Sequence, residues 1–373
     1  MNRPDCIIVG AGALGLAAAY RLMRRGLRVR VVTARRPDAS LAAAGMLAPG
    51  IEAAEAALTG AAHSRLGALL HEAAGRWPAF AAELCGHPSD LRVIGYRAVD
   101  TLLAGGKADG SHLAGLARAA VGAGAQVETL SGDAARKLEP ALTPFTIQAL
   151  HFSGDALVEP PLLIGVLREA LKQAGVEIEI ARIAAIAQVD GAVRLQTAEG
   201  EKLEAGAVIL AAGWPGSVKL APEWAHIVPI KGQIATLSAR PALRTMLRAP
   251  GIYLAPREDG RVECGATSER GVDTLNVEPA AIRALRGRAA DLAPALAEAW
   301  TIASRSGVRP STPDFAPILG ASVLGSRVFL TAAPHRNGIL LAPLIADITA
   351  DAVTGAPDGA GWLHALAATR FQS

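Results

Sequence analysis

The sequence predicts an α/β protein in which a Rossmann-like domain is interleaved with a smaller α+β domain built on an antiparallel sheet. The N-terminal residues have the pattern of a strand, a glycine-rich turn, a helix and a second strand. Apolar strands of the same kind recur near residues 207 and 327. Residues 227 to 267 instead contain short strands bounded by Gly, Pro and Asp, a pattern typical of antiparallel hairpins.

The first predicted unit combines two strands and a helix. Cys6 to Val9 is a run of β-favouring residues without alternation, as expected for a parallel strand buried on both faces. We predict a helix from Ala13 to Arg25, because its apolar residues recur at helical spacing and Gly26 can end it. Arg28 to Thr33 is the second predicted strand. Such a unit has parallel strands and a right-handed crossover.

Later segments extend both predicted domains. They are a helix from Pro161 to Gln173, a strand from Val176 to Ile180, an apolar run from Ala207 to Gly213, a strand from Arg327 to Thr331 and a helix from Gly338 to Val353. Because these elements are far apart along the chain, we expect the Rossmann-like domain to be assembled from separated segments.

The composition excludes several classes of protein. The chain has 373 residues, a formal net charge of +3 and no block of Lys and Arg, so no nucleic acid is expected as a partner. Cys6, Cys85 and Cys264 are widely separated and lack C-x-x-C spacing, which argues against disulfides and a metal site and fits a reducing cytoplasm. The apolar runs are too short or too interrupted for a membrane span, and we identify no export signal.

The turn after the first predicted strand carries a G-x-G-x-x-G motif, in which the glycines are Gly10, Gly12 and Gly15. Gly10 permits a tight turn, Gly12 lets the backbone approach a pyrophosphate, and Gly15 allows the helix to pack closely. The free N–H groups at the start of the helix then face the negative charge. The motif in this context predicts a dinucleotide site.

The second predicted strand ends at Thr33, where the standard pattern has Asp or Glu to bind the adenosine ribose. The Thr33 hydroxyl can still reach a ribose, although without a charge-assisted hydrogen bond. Alternatively, Arg35 and Arg36 could receive a 2′-phosphate, which would indicate NADP. This motif alone leaves the choice of dinucleotide open.

A run of small residues follows, with the sequence Ala39-Ser40-Leu41-Ala42-Ala43-Ala44-Gly45-Met46-Leu47-Ala48-Pro49. It resembles the corresponding segment of glycine oxidases of the thiamine-biosynthesis type, within the D-amino-acid-oxidase family of flavoproteins. The resemblance covers nearly the whole chain through motifs in the family's order. They are Gly154-Asp155-x-x-Val158-Glu159-Pro160, Ala211-Ala212-Gly213-Trp214, Pro229-Ile230-Lys231-Gly232-Gln233, Tyr253-Leu254-x-Pro256-Arg257, Gly265-Ala266-Thr267, Gly307-x-Arg309-Pro310 and Arg336-Asn337-Gly338-Ile339-Leu340-Leu341-Ala342-Pro343.

The resemblance implies non-covalently bound FAD as the cofactor. It implies an FAD-binding domain of residues 1–80, 149–215 and 305–373, and a substrate-binding domain of residues 81–148 and 216–304. The cofactor-binding residues that it implies are Gly10, Gly12, Ala13, Leu14, Gly15, Thr33, Ala34, Arg35, Ser40, Ala43, Ala44, Gly45, Met46, Ala184, Ala212, Gly213, Trp214, Pro334, His335, Arg336, Asn337, Gly338, Ile339 and Leu340.

The substrate residues implied by the resemblance are Arg309, Tyr253, Arg336 and His335. An amino acid bound over a flavin needs an anchor for its carboxylate, and a planar guanidinium is the best bidentate partner. Arg309 matches the family's carboxylate-binding arginine, while Tyr253 and Arg336 match residues that flank the pocket. We expect Lys231 and the Trp214 side chain to have structural roles.

This sequence departs from the family beside the implied flavin. Ala333-Pro334-His335 replaces the usual Gly-His-aromatic sequence, and Ile345 stands where the family usually has Thr. We do not assign His335 as a general base, because the resembled family usually has an aromatic residue at this position. These departures bear on the ring environment, the substrate size and the reaction with oxygen.

The resemblance implies oxidation of glycine or another small amino acid by hydride transfer to flavin N5. The products are an imine, which feeds thiazole formation for thiamine in the resembled enzymes, and hydrogen peroxide from dioxygen. One alternative is a D-amino-acid or N-methyl-amine dehydrogenase that passes electrons to a carrier. Another is a flavin-free or inactive binding protein of the same fold. A homo-oligomer is what the family suggests.

Overall fold

A computed structural model describes residues 3–34, 39–216, 218–239 and 242–371. Its first sheet consists of β1 (Cys6–Val9), β2 (Val29–Thr33), β9 (Glu177–Ile180), β13 (Ala207–Leu210), β20 (Ile318–Ser322) and β21 (Gly325–Ala332). They lie in the order β20-β21-β13-β1-β2-β9. Every neighbouring pair is parallel except β20 and β21, which pair antiparallel at the edge. β1 and β13 are buried throughout, as expected for strands covered on both faces.

The second sheet is larger and mostly antiparallel. Its strands are β5 (Thr101–Gly105), β6 (Val127–Ser131), β7 (Gln148–Phe152), β14 (Val228–Ser238), β15 (Met246–Ala249), β16 (Ile252–Pro256), β17 (Arg261–Gly265), β18 (Glu269–Arg270) and β19 (Thr301–Ser311). They follow the order β18-β14-β17-β16-β15-β5-β7-β6, and β19 pairs with β14. β14 to β17 are joined by antiparallel pairings, as predicted for this part of the chain.

Two small sheets and the helices cover these layers. The small sheets are formed by β3 (Met46–Leu47), β4 (Arg97–Ala98) and β8 (Ala156–Leu157), and by β10 (Ile183–Val189), β11 (Ala192–Thr197) and β12 (Lys202–Ala205). The helices are α1 (Ala13–Arg24), α2 (Pro49–Ala57), α3 (Leu66–Cys85), α4 (Gly110–Gly122), α5 (Gly132–Leu138), α6 (Pro160–Gln173), α7 (Pro279–Leu292), α8 (Ala342–Thr354) and α9 (Trp362–Ala365).

The main core lies between the first sheet and its helices. α1 packs against α6 and α8 on one face of this sheet, and β11 contacts β13 and β21. Trp77 and Phe80 of α3 are buried in the core and meet edge to face, with ring centroids 5.7 Å apart. The chain therefore has a layered α/β structure, and the predicted fold class is confirmed.

Most predicted elements agree with the structure within one or two residues, and one helix does not. The helix predicted from Gly338 begins at Ala342, because residues 335 to 341 form turns. Pro343 lies in the first turn of α8, where a missing N–H and a fixed φ are tolerated. The parallel pairing predicted for the first two strands is present, and the antiparallel edge strand β20 was not predicted.

The strands also refine the expected division of the chain. β7 begins at Gln148 and belongs to the second sheet, although the FAD-binding segment was expected from residue 149. β19 spans residues 301–311 and therefore crosses the expected boundary at 304 and 305. The division into two domains stays a prediction.

Among the described residues, no helix is both long enough and apolar enough to cross a membrane.

Candidate active site

A cavity of about 980 Å³ opens at the carboxyl ends of the parallel strands. Segments that follow β1, β2, β9, β13 and β21 line one part of it, and residues of β14, β16, β17 and β19 line the other. Ligands of open α/β sheets bind at this edge. The cavity therefore joins the first sheet to the second, with space for both a cofactor and a substrate.

Most of the predicted site residues line this one cavity. They are Gly10, Gly12, Ala13, Leu14, Thr33, Ala34, Ser40, Ala43, Ala44, Gly45, Met46, Ala212, Gly213, Trp214, Tyr253, Arg309, Pro334, His335, Arg336, Asn337, Gly338 and Ile339. Three others, Gly15, Ala184 and Leu340, are not among the lining residues. Arg35 lies outside the described residues, as does Arg36 of the NADP alternative.

The glycine turn brings three backbone segments into contact. Gly10 has φ of +117°, and a Cβ added there would lie 2.3 Å from the carbonyl oxygen of Ala211. A Cβ at Gly15 would lie 2.0 Å from the carbonyl oxygen of Gly10, so Gly15 lies behind the cavity wall. The N-terminus of α1 consequently faces the cavity, with the N–H of Ala13 donating to Ser40 Oγ at 3.0 Å. A helix start in this position attracts a pyrophosphate.

The far end of the cavity is formed at the end of β9. Ile180, Ala181, Arg182 and Ile183 line it, whereas the predicted Ala184 is exposed just beyond them. Successive side chains of a strand point to opposite faces, which explains why β10 turns Ile183 inward and Ala184 outward.

The small-residue run approaches the backbone before α6. Gly45 has φ of +74°, and a Cβ there would lie 2.0 Å from the carbonyl oxygen of Val158. Arg257, at the end of the β16 hairpin, donates from Nη2 to Ala44 O at 2.6 Å and from Nη1 to Val158 O at 3.2 Å. Burial lowers the pKa of this guanidinium. Arg257 thus connects the second sheet to the backbone on both sides of the Gly45 contact.

We expect replacement of Arg257 by Met to weaken FAD binding by about tenfold and to destabilise the protein by about 1–3 kcal/mol, since two buried carbonyls lose a charged donor. FAD affinity is measured by titrating the apoprotein, and stability by urea unfolding. Arg257→Lys is the matched variant, because it keeps the charge but cannot reach two carbonyls with a planar fork. Equal FAD affinity in the Met variant and the native protein would contradict this role.

The loop of residues 333–341 forms the cavity wall after β21. Ala333 and His335 have positive φ values of 54° and 51°, which are unusual for residues other than glycine. The N–H of His335 donates to Pro310 O at 3.1 Å, and Trp77 Nε1 donates to Leu340 O at 2.9 Å. Leu340 is turned into the core, which explains why it does not line the cavity.

His335 is a neutral imidazole in this wall. Burial, followed by the charge of Arg336, lowers the pKa of His335 to about 3. Its ring lies 5.1 Å from that of Phe315, measured between centroids. A group with this pKa is too weak a base to take a proton from an ammonium ion.

Arg309 and Tyr253 line the part of the cavity formed by the second sheet and interact electrostatically. A Cβ at Gly232 would lie 2.2 Å from Arg309 Nη2, and one at Gly265 would lie 2.3 Å from the Tyr253 hydroxyl. Two glycines thus leave room for the two side chains. Arg309 Nη1 donates to Thr267 O at 3.2 Å, and burial lowers the pKa of this guanidinium. Within the described residues, Arg309 has no carboxylate as an ion-pair partner.

Four charged residues complete the wall, and sequence reasoning assigned only one of them to the site. Glu52 Oε1 accepts from Arg248 Nη2 at 2.5 Å, and its Oε2 accepts from Arg336 Nε. Glu55 Oε2 accepts from Arg336 Nη2, and its Oε1 lies 3.7 Å from Arg248 Nη1. We call Glu52, Glu55, Arg248 and Arg336 the ion-pair ring. The available signal was the pair of acids three residues apart in an otherwise apolar segment.

The ion-pair ring contains two acidic and two basic side chains, so its formal charges sum to zero. Burial alone would raise the pKa of Glu52, but Arg336 and Arg248 outweigh it and lower the value to about 2. Burial alone would also lower the pKa of Arg248 and Arg336. The charges of the two glutamates outweigh burial, so the pKa of both arginines is raised. Glu52, Arg248 and Arg336 therefore stay ionised near neutrality.

The two residues expected to be structural have polar partners at the edge of the site. Lys231 is buried and donates from Nζ to Glu278 Oε1 at 2.9 Å, with Glu269 Oε2 at 3.7 Å. Trp214 Nε1 donates to Asp273 Oδ2 at 3.1 Å while its residue lines the cavity. Within the described residues, no group of three His, Cys, Asp or Glu side chains could hold a metal ion.

These residues fit FAD. Gly10 and Gly45 line the cavity, and the absence of side chains lets them pack closely against the backbone of Ala211 and Val158. The N-terminus of α1 suits a pyrophosphate. The 333–341 loop ends at the start of α8, whose positive end suits the negative charge of a reduced flavin. The fold and the cavity define a flavin-dependent oxidoreductase.

Comparison with known proteins identifies the family. The family described as FAD dependent oxidoreductase (DAO) matches residues 5–352, and the chain belongs to it. The predicted FAD cofactor and the predicted class of enzyme are thereby confirmed.

Individual relatives agree over nearly the full length. A glycine oxidase of Bacillus licheniformis is 28% identical over 380 residues, covering 100% of this chain and 99% of that protein. The crystal structure of glycine oxidase from Geobacillus kaustophilus has a TM-score of 0.85 at 30% identity, covering 96% of each chain. The crystal structure of iminodiacetate oxidase from Chelativorans sp. BNC1 has a TM-score of 0.81 at 25% identity, covering 94% of this chain and 96% of that one.

Proposed function

We propose that the protein oxidises glycine or another small amino acid to the imine, with dioxygen as the final electron acceptor. The observation that carries this proposal is Arg309, a guanidinium in the cavity wall that has no carboxylate partner within the described residues. A cation in such a place is stabilised by a bound anion. The similarity to glycine oxidases supports a small amino acid as that anion.

The side chains around Arg309 suit the binding of a carboxylate. Burial raises the pKa of Tyr253 to about 12, so its hydroxyl stays protonated and can donate to the same carboxylate. The carboxylate anchor belongs to the second sheet, whereas His335 and the 333–341 loop lie at the end of the first sheet. A small amino acid held at Arg309 would therefore have its α-carbon between the anchor and this loop.

The protein contributes binding and orientation rather than proton transfer. His335 is too weak a base for an ammonium group, and Tyr253 is too weak an acid to lose its own proton near neutrality. Arg309 neutralises the carboxylate and fixes the α-carbon, and the amine enters in its neutral form or loses its proton to water. Bound FAD supplies the hydride acceptor and the reaction with dioxygen. Use of the imine in thiazole formation for thiamine stays a prediction.

Anaerobic bleaching of the flavin tests the proposal. We expect purified protein to be yellow, and glycine, sarcosine or a small D-amino acid to bleach the flavin absorbance in the absence of oxygen. Admission of air should restore the colour with one equivalent of hydrogen peroxide per imine. Simple amines without a carboxylate are the control, because they cannot use Arg309.

Two outcomes would change the proposed function. If no amino acid bleaches the flavin, oxidation of this substrate class is wrong. If amino acids bleach it but colour returns only with a dye acceptor and not in air, the enzyme is a dehydrogenase that uses a carrier.

A further inference from the structure

The ion-pair ring lies at a junction of three segments. Glu52 and Glu55 come from α2, Arg248 from β15, and Arg336 from the 333–341 loop. All four line the same cavity as Arg309. The ring therefore forms part of the wall beside the carboxylate anchor.

This wall contains one more basic side chain than acidic side chains. The two glutamates and two arginines of the ring cancel, which leaves Arg309 as the cation without a paired acid at this end of the cavity. Two other described lining cations, Arg168 of α6 and Arg182 after β9, are exposed residues outside the ion-pair ring. The residues at the substrate end thus carry a formal net charge of +1, as long as both Glu52 and Glu55 are present to balance Arg248 and Arg336.

We propose that Glu55 determines specificity by holding the ring neutral, so that the site accepts amino acids with one carboxylate and rejects those with two. This inference rests on the proposed function. A second carboxylate on the substrate would need a second free cation. The nearby candidates, Arg248 and Arg336, are already paired with acids, and Glu55 would repel the additional negative charge.

Glu55 is assigned this role rather than Glu52 because of their different surroundings. Glu52 is 7% exposed and is hydrogen-bonded to both arginines, so its removal would leave the buried Arg248 with only the 3.7 Å contact to Glu55. The Glu55 side chain is 31% exposed, as is expected of a residue near the mouth of the cavity. Its replacement removes one charge from the ring while Glu52 still holds both arginines.

The wild-type protein provides the first test. Acetate and malonate are the probes, at about pH 8, where their carboxylates are ionised. Binding is followed by the change that each anion produces in the absorbance of the bound flavin. We expect malonate to bind at least about tenfold more weakly than acetate, because its second carboxylate is repelled by Glu55 and finds no unpaired cation in the ring. Malonate binding that equals or exceeds acetate binding would overturn the proposal.

The variant E55Q provides the second test. We expect its ratio of malonate to acetate affinity to rise at least about tenfold over that of the wild type, since the ring gains one net positive charge. The ratio of kcat/KM for iminodiacetate to that for glycine should rise in parallel. The control is E298Q, which makes the same change of charge at an exposed residue that does not line the cavity. Both ratios should be those of the wild type in E298Q.

The two tests separate this inference from the proposed function. If E55Q retains FAD and its ratios equal those of the wild type, the inference is wrong even though glycine bleaches the flavin. If no amino acid bleaches the flavin, the proposed function is wrong, and the titrations with acetate and malonate still decide the role of Glu55. Should E55Q fail to retain FAD, the wild-type titration alone decides it.

Discussion

Replacement of Arg309 by Met is expected to lower kcat/KM for the amino acid substrate by roughly a thousandfold, which corresponds to about 4 kcal/mol. The guanidinium is the cation without an ion pair at the substrate end of the described cavity, and a bidentate, charge-assisted contact with a carboxylate accounts for a loss of this size. Steady-state kinetics with hydrogen peroxide detection measures the loss. The flavin absorbance should persist, because the predicted cofactor contacts lie on other segments.

Two further variants make this result specific. Arg309→Lys keeps the charge but not the planar fork, and we expect an intermediate loss, with KM affected more than kcat. Arg283→Met removes an exposed arginine from α7, outside the cavity, and should leave the kinetics unchanged. Native kcat/KM in Arg309→Met would remove Arg309 from the site and, with it, the main support for the proposed function.

Local patterns were sufficient to predict the first strand, helix and strand of the fold. β1 matches the predicted Cys6 to Val9, and α1 differs from its predicted bounds by one residue. The signals were an uninterrupted apolar run, glycines at fixed spacing and helical periodicity, and none of these depends on distant contacts. The start of α8 was less predictable, because residues 338 to 341 are as apolar as the helix that follows them.

Arg309, the proposed carboxylate anchor, could be placed at the cavity from the sequence because it lies in a motif that resembles a known family. Arg336 and Arg257 lie in such motifs as well, but the contacts of the ion-pair ring and of Arg257 could not be predicted from them. Glu52 and Arg336 are 284 residues apart in the chain, and their meeting depends on how α2 packs against the 333–341 loop. In a sequence, a single charged residue most often indicates an exposed position. Only the tertiary structure shows that these charges are matched inside a cavity.

Thr33 ends β2 and lines the cavity, at the position where the standard pattern has an acid for the ribose. Its hydroxyl makes a long contact of 3.5 Å with Ala34 O, so it is available to a ribose but cannot give the charge-assisted hydrogen bond of an acid. The support for FAD therefore comes from the backbone around Gly10 and Gly45 and from the family, rather than from a side chain at the ribose.

Replacement of Gly10 by Ala is expected to abolish most FAD binding and to lower the free energy of unfolding of the apoprotein by about 2–5 kcal/mol. Two costs combine here, because φ of +117° is unfavourable for alanine and its Cβ would lie 2.3 Å from Ala211 O. That oxygen belongs to the backbone after β13, so the contact can be relieved only by moving the turn away from the first sheet. The apparent Kd for FAD should rise by at least about a hundredfold, since the pyrophosphate site is built from the same turn.

Gly26→Ala is the matched variant for this prediction. Gly26 also has a positive φ, +82°, but a Cβ there meets no atom within 4 Å. This variant should show only the backbone cost, about 1–2 kcal/mol, with FAD affinity unchanged. Urea unfolding of the apoproteins and titration with FAD measure both quantities. The difference between the two variants isolates the contact with Ala211, and equal stability and affinity in both would show that this contact does not shape the cofactor site.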